Sequence, residues 1–140
     1  MATQIVIDTN VFISALKSKK GASFKLLSLI GGDSFEINLS VPLVLEYEDV
    51  AKRSELQLSI DQKYIDDILD YLYQVANRHD IFFLWRPFLK DPKDDLVLEL
   101  AVKARGKFIL TYNLKDFNGI DQFGIEAITP KEFLEHIGEL

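Results

Sequence analysis

At 140 residues, 48% of them apolar and 27% charged, the chain has the length and composition of one globular domain with its own core. It has no cysteine and only two histidines, His79 and His136, which excludes disulfides, thiolate metal sites and cysteine nucleophiles and leaves a hard, oxygen-bound cation such as Mg²⁺, Mn²⁺ or Ca²⁺ as the metal to expect. The net charge of −6 argues against a protein that coats nucleic acid by charge alone, although cations bound among crowded acids reverse the local field.

Gln4–Ile7 reads as a short buried strand, an apolar run that ends at Asp8. Asn10 fits the N-cap of a helix carrying Val11, Phe12, Ile13, Ala15 and Leu16. After a break at Ser18–Gly21 a second helix runs from Ser23 to about Ile30, closed by Gly31 and Gly32. Phe35, Ile37 and Leu39 alternate with polar residues as a strand does. Ser40 and Pro42 open a third helix, reaching about Arg53. Asp61 caps the next, whose apolar stripe is Tyr64, Ile65, Ile68, Leu69, Leu72 and Val75. Its acids Asp66, Asp67 and Asp70 read as a solvated face.

Ile81–Trp85 is expected to be the third strand, with a loop through Phe88. Asp91 and Pro92 open a helix whose apolar residues lie almost all round, so it is expected to be buried, and Gly106 ends it. Phe108–Thr111 is a fourth strand and Ile125–Ile128 a fifth, followed by a helix that begins at Thr129 and Pro130. Strands that alternate with helices predict one α/β domain spanning residues 1–140, with a mostly parallel sheet of four to five strands and helices on both faces. No apolar run reaches the ~20 residues of a membrane span and no signal peptide is recognisable, so the expected location is the cytoplasm, away from membranes.

In such a sheet ligands bind beyond the carboxyl ends of the strands. Asp8 ends the first strand, and Asn113 and Asp116 follow the fourth. Glu46 and Asp95 each lie one turn into a helix whose N-terminus sits at that same edge. Two carboxylates ~4 Å apart repel by roughly 4 kcal/mol at an effective dielectric of 20, so acids meeting there call for a divalent cation. Such a cation supports phosphodiester hydrolysis without a histidine, cysteine or serine nucleophile.

The segments IVIDTNVFISAL, VPLVLEYEDV and DPKDDLVLELAVKARGKFILTYNLKDF, with the terminal GIEAITPKEFLEHI, resemble PIN domains. The likeness is greatest to the VapC-like toxin ribonucleases of toxin–antitoxin pairs. The resemblance implies a PIN fold and a Mg²⁺- or Mn²⁺-dependent endoribonuclease acting on RNA. It also implies a small antitoxin partner and a homodimer. It makes Asp8, Glu46 and Asp95 the first three metal carboxylates. The fourth departs from the pattern, because many members carry Asp where this chain has Asn113; Asp116 is the nearest substitute, with Asn113 assisting.

Each residue also has a bland reading. Asn10 is a helix cap. Asp91 is an N-cap and Asp94 falls at N3, where a capping box places its acid, though Asp94 shares the site if the alignment slips by one residue. Glu99 pairs with Lys103 or supports the site. Lys17, Lys19, Lys20 and Lys25 either guide RNA phosphates or form an ordinary solvated turn. Trp85, Phe88 and Tyr112 either stack unpaired bases or pack. His79 and His136 are surface residues. Two rival functions remain. A haloacid-dehalogenase-type phosphatase needs a second Asp two residues after Asp8, where Asn10 stands; a degraded binding module is the reading Asn113 favours.

Overall fold

The computed structural model describes residues 2–53, 60–81 and 88–140. In chain order the elements are β1 (Thr3–Ile7), α1 (Thr9–Lys17), α2 (Ala22–Ser28), β2 (Phe35–Leu39), α3 (Val41–Arg53), α4 (Gln62–Val75), β3 (Asn77–Arg78), α5 (Pro92–Lys103), β4 (Phe108–Leu110), β5 (Glu126–Ile128) and α6 (Pro130–His136). Two 3₁₀ turns, Leu114–Phe117 and Ile120–Phe123, lie between β4 and β5.

Among the described residues the sheet has five strands in the order β3-β2-β1-β4-β5, every neighbouring pair parallel. Ile5–Ile7 of β1 and Phe108–Leu110 of β4 are buried without alternation, as central strands covered on both faces must be. The chain runs outward from β1 through β2 to β3, then returns across the sheet to β4 and on to β5, with α5 packed against β1, β2 and β4. The direction of travel reverses between β1 and β4. That is the topological switch point of the sheet, and it lies where Asp8 and Thr111 leave it.

Register fixes that meeting. Ile7 pairs with Leu110, and the Asp8 N–H donates to the Leu110 carbonyl at 2.9 Å, so Asp8 and Thr111 come next in step. Beneath them the Tyr47 ring stacks on Phe12 at 4.7 Å, and its hydroxyl donates to the Ile7 carbonyl. Toward the β3 edge the buried Asn38 amide donates to Gln4 Oε1 and the Ile5 carbonyl, and its oxygen meets His79 Nε2 at 2.9 Å.

Several expectations change. Asn77–Arg78, a polar edge strand directly after α4, was not expected; the strand expected at Ile81–Trp85 lies, apart from Ile81, outside the described residues. The α1 N-cap is Asp8, because its carboxylate accepts from the Thr9 N–H; Asn10 lies inside the helix. The second helix begins at Ala22, capped by Gly21. α5 is not buried all round: Val97, Leu98, Leu100 and Ala101 are inside, whereas Val102 faces solvent. His79 is partly buried rather than a plain surface residue. The expected caps Asp61 and Asp91 hold, and Thr129, expected to begin the last helix, caps it in a reciprocal capping box with Glu132.

Candidate active site

Asp8 is the anchor of the site. It is 8% exposed, and three groups hold its carboxylate: the Thr9 N–H at 2.9 Å, the fully buried Thr111 hydroxyl at 2.8 Å and the Asn10 amide at 3.3 Å. Burial raises its pKa; the Thr111 and Thr9 bonds oppose the rise, while the nearby charges of Asp116 and Glu46 add to it. Asn10 serves as more than helix surface. It donates to Asp8 and to Thr111 Oγ1, and its oxygen accepts from the Tyr112 N–H at 3.2 Å.

Asp94 and Asp95 part company at the start of α5. Asp94 is pushed up to about 6, first by desolvation and then by the charges of Asp8, Asp116, Asp91 and Asp95. It therefore feels both acids of the strand ends. Asp95 is 7% exposed, and its Oδ1 accepts from the Phe88 and Leu89 N–H groups at 3.1 and 2.8 Å. Its Oδ2 is buried and has no hydrogen-bond partner among the described residues. Asp95 thus fastens the backbone that enters α5, while Asp94 shares the electrostatic field of the acid pole.

Glu46 projects from the second turn of α3, and its carboxylate lies 3.7 Å from Lys93 Nζ on α5. Sequence reasoning passed over Lys93; its place in the first turn after Asp91 and Pro92 was the available signal. Asp116 is exposed in the 3₁₀ turn after β4, where its N–H donates to the Asn113 carbonyl. Asn113 is exposed at the lip, and its N–H donates to Thr111 Oγ1. Asp91 caps α5 by accepting from the Lys93 N–H at 2.9 Å. Lys17, Lys19, Lys20 and Lys25 are all exposed, and Lys17 closes a groove of about 540 Å³ that runs along α1 past Asn10, Ser14 and Val50. Among the aromatic candidates, Phe88 packs edge-on against Phe123 at 5.1 Å, and Tyr112 stands 45% exposed beside Asn10.

A larger groove of about 730 Å³ lies between α3 and α4, but Lys52 already pairs two of its acids, Glu48 and Asp66, so its chemistry differs from that of the acid pole. Asp67 likewise pairs with Lys63, in keeping with a solvated face on α4. Among the described residues no group of three or more His, Cys, Asp or Glu side chains is set to hold a metal ion directly, and no helix is long and apolar enough to cross a membrane.

The sequence profile described as PIN domain matches residues 4–115, so the chain belongs to the PIN-domain family. Among solved structures it is similar to a chain of the crystal structure of VapBC2 from Rickettsia felis bound to a DNA fragment from their promoter, at 13% identity and a TM-score of 0.60, over 89% of this chain and 97% of that one. At that identity the likeness is one of fold. No curated protein matches the sequence.

Proposed function

We propose that this chain is a nuclease whose acid pole works with Mg²⁺ or Mn²⁺ to hydrolyse phosphodiester bonds of RNA. Membership of the PIN-domain family supports the reaction class. The observation that carries the metal reading is that Asp8 and Asp94, distant in sequence, are both pushed toward protonation, first by burial and then by acids they share the switch point with: Asp116 and Glu46 act on Asp8, and Asp8 and Asp116 act on Asp94. Carboxylates so crowded favour a bound dication, and every donor present is an oxygen, as a hard cation requires.

On this reading Asp8 and Asp94 would hold the ion, with Asp116 and Glu46 touching it or its waters. Asp94 stands ahead of Asp95 in the set because Asp95 Oδ1 is engaged with the Phe88 and Leu89 backbone, whereas Asp94 feels the charges of Asp8 and Asp116. Among the described residues no three acids are set to hold an ion directly, so one or two carboxylates would touch Mg²⁺ and the others would reach it through its waters. Bound there, the ion supplies positive charge for a phosphodiester oxygen and lowers the pKa of a water. Thr111 and Asn10 hold Asp8 in its acceptor orientation, Lys93 restrains Glu46, and the exposed lysines of the α1–α2 turn draw in the phosphate backbone.

The same reading makes the chain the toxin member of a pair with a small antitoxin, acting as a homodimer in the cytoplasm; the similar fold in a VapBC2 complex supports the partner. The neutral Asn113 at the lip favours a second reading, a PIN-fold module that binds nucleic acid without cutting it. Cleavage of a labelled single-stranded RNA with Mn²⁺ or Mg²⁺ separates the two. Cutting by the wild type that disappears in Asp8→Asn and Asp94→Asn and in EDTA upholds the nuclease; intact RNA under every condition, with no divalent-ion binding, upholds the module.

A further inference from the structure

Tyr112 is a large aromatic residue, 45% exposed, on the first loop position after Thr111. Its backbone N–H is held by Asn10 Oδ1 at 3.2 Å, and Asn10 in turn holds Asp8. Its hydroxyl shares a hydrogen bond of 2.5 Å with Ser23 Oγ, and Ser23 is 1% exposed. The backbone and the hydroxyl of Tyr112 are therefore both held while the residue stays 45% exposed. The loss of rotamer freedom has already occurred before any ligand arrives, so a flat partner is ordered at little further cost. Ser23 lies in the first turn of α2, directly after the turn that carries Lys19 and Lys20.

An aromatic face next to exposed lysines is the combination that holds single-stranded nucleic acid: cations follow the backbone and bases stack on the ring. We propose that Tyr112 is the stacking platform for an unpaired nucleobase of the strand entering the acid pole, locked in place by Ser23 and Asn10. This rests on the nuclease reading for its substrate class and adds the residue that selects unpaired over paired strands. A base within a duplex has its faces covered by its neighbours, so Tyr112 favours strands whose bases are free.

The test is binding rather than cleavage. Fluorescence anisotropy in EDTA would compare wild type, Tyr112→Leu and Tyr112→Phe for an eight-nucleotide RNA, the DNA of the same sequence, and an abasic sugar-phosphate strand of equal length. Base–aromatic stacking spans roughly 5- to 150-fold in affinity, and the Leu variant should lose that much for a base-bearing strand, RNA or DNA, with no change for the abasic strand. Tyr112→Phe, which keeps the ring, should lie between the two. A wild type without affinity for single strands, a Leu variant equal to wild type on both base-bearing strands, or an equal loss on the abasic strand would each overturn the platform. Failure of the nuclease reading would show separately, as absence of Mn²⁺-dependent cutting by the wild type, and leaves the binding comparison intact.

Discussion

The Thr111 hydroxyl donates to Asp8 Oδ2 across 2.8 Å, joining residues 103 positions apart at the ends of adjacent strands. The bond follows from the register of β1 on β4, and it opposes the upward pull of burial on the Asp8 carboxylate. Removing it in Thr111→Val, a near-isosteric change, should raise the Asp8 pKa further. Asp8 then ionises only at higher pH, so the acid limb of the pH–rate profile with Mn²⁺ should move up. Stability should fall by about 1–3 kcal/mol, since a buried carboxylate loses a charge-assisted bond. The pH–rate profile and a denaturant titration check the two effects.

Neighbouring acids in α5 should give opposite phenotypes. Asp94→Asn should lower Mn²⁺-dependent cleavage roughly 100-fold or more, because it removes a carboxylate from the acid pole, while leaving the fold intact. Asp95→Ala should instead cost about 2 kcal/mol of stability, as two backbone N–H groups lose their acceptor. Asp95→Asn keeps an oxygen for those donors and should retain Mn²⁺ affinity. Isothermal titration with Mn²⁺ beside thermal melting separates the roles.

The raised pKa of Asp94 has a consequence for the metal-free protein. Folding lifts this group from 3.8 to about 6, so the native state binds more protons than the unfolded chain between those values. Its contribution to stability is therefore present at acid pH and lost as pH rises through that window. Asp94 is only partly buried, so solvent screening keeps the effect small, a few degrees in Tm. The Tm of the EDTA-treated wild type should fall more steeply from pH 4 to 6.5 than that of Asp94→Asn, and Asp94→Asn should melt higher at pH 7. Adding Mn²⁺ at pH 7 should raise the wild-type Tm, because the ion binds the native state.

Asp91 provides the control. Its carboxylate caps α5 at the Lys93 N–H, so Asp91→Ala should cost about 1 kcal/mol, and Asp91→Ser should restore most of it. Cleavage by either variant should remain within about threefold of wild type. A large loss of activity at unchanged stability would move Asp91 into the acid pole.

The parallel sheet was legible because Ile5–Ile7 and Phe108–Leu110 are unbroken apolar runs, and Asp8 was legible because it directly follows the first of them. The edge strand Asn77–Arg78 carries no apolar residue, so periodicity had nothing to register; what holds it is pairing with Asn38 and Leu39. Asp94 and Asp95 were hard to rank because both lie in the first turn of one helix. Their difference depends on a backbone six to seven residues upstream that claims the Asp95 carboxylate. The Asp8 cap was missed for a related reason: one carboxylate both ends a strand and starts a helix, and Asn10 carries an equally good capping side chain two residues on. The departure of Val102 from an all-buried helix shows that an apolar residue is no proof of burial on a helix that faces solvent along one side.

The most direct measurement is anomalous diffraction at the manganese edge from crystals of the full chain grown with Mn²⁺. The expected result is a peak within coordination reach of Asp8 and Asp94, with Glu46 and Asp116 touching the ion or its waters and Asp95 still bonded to the Phe88 and Leu89 backbone. A peak bound to Asp95 with Asp94 turned away, or no ion at the switch point at saturating Mn²⁺, would contradict it.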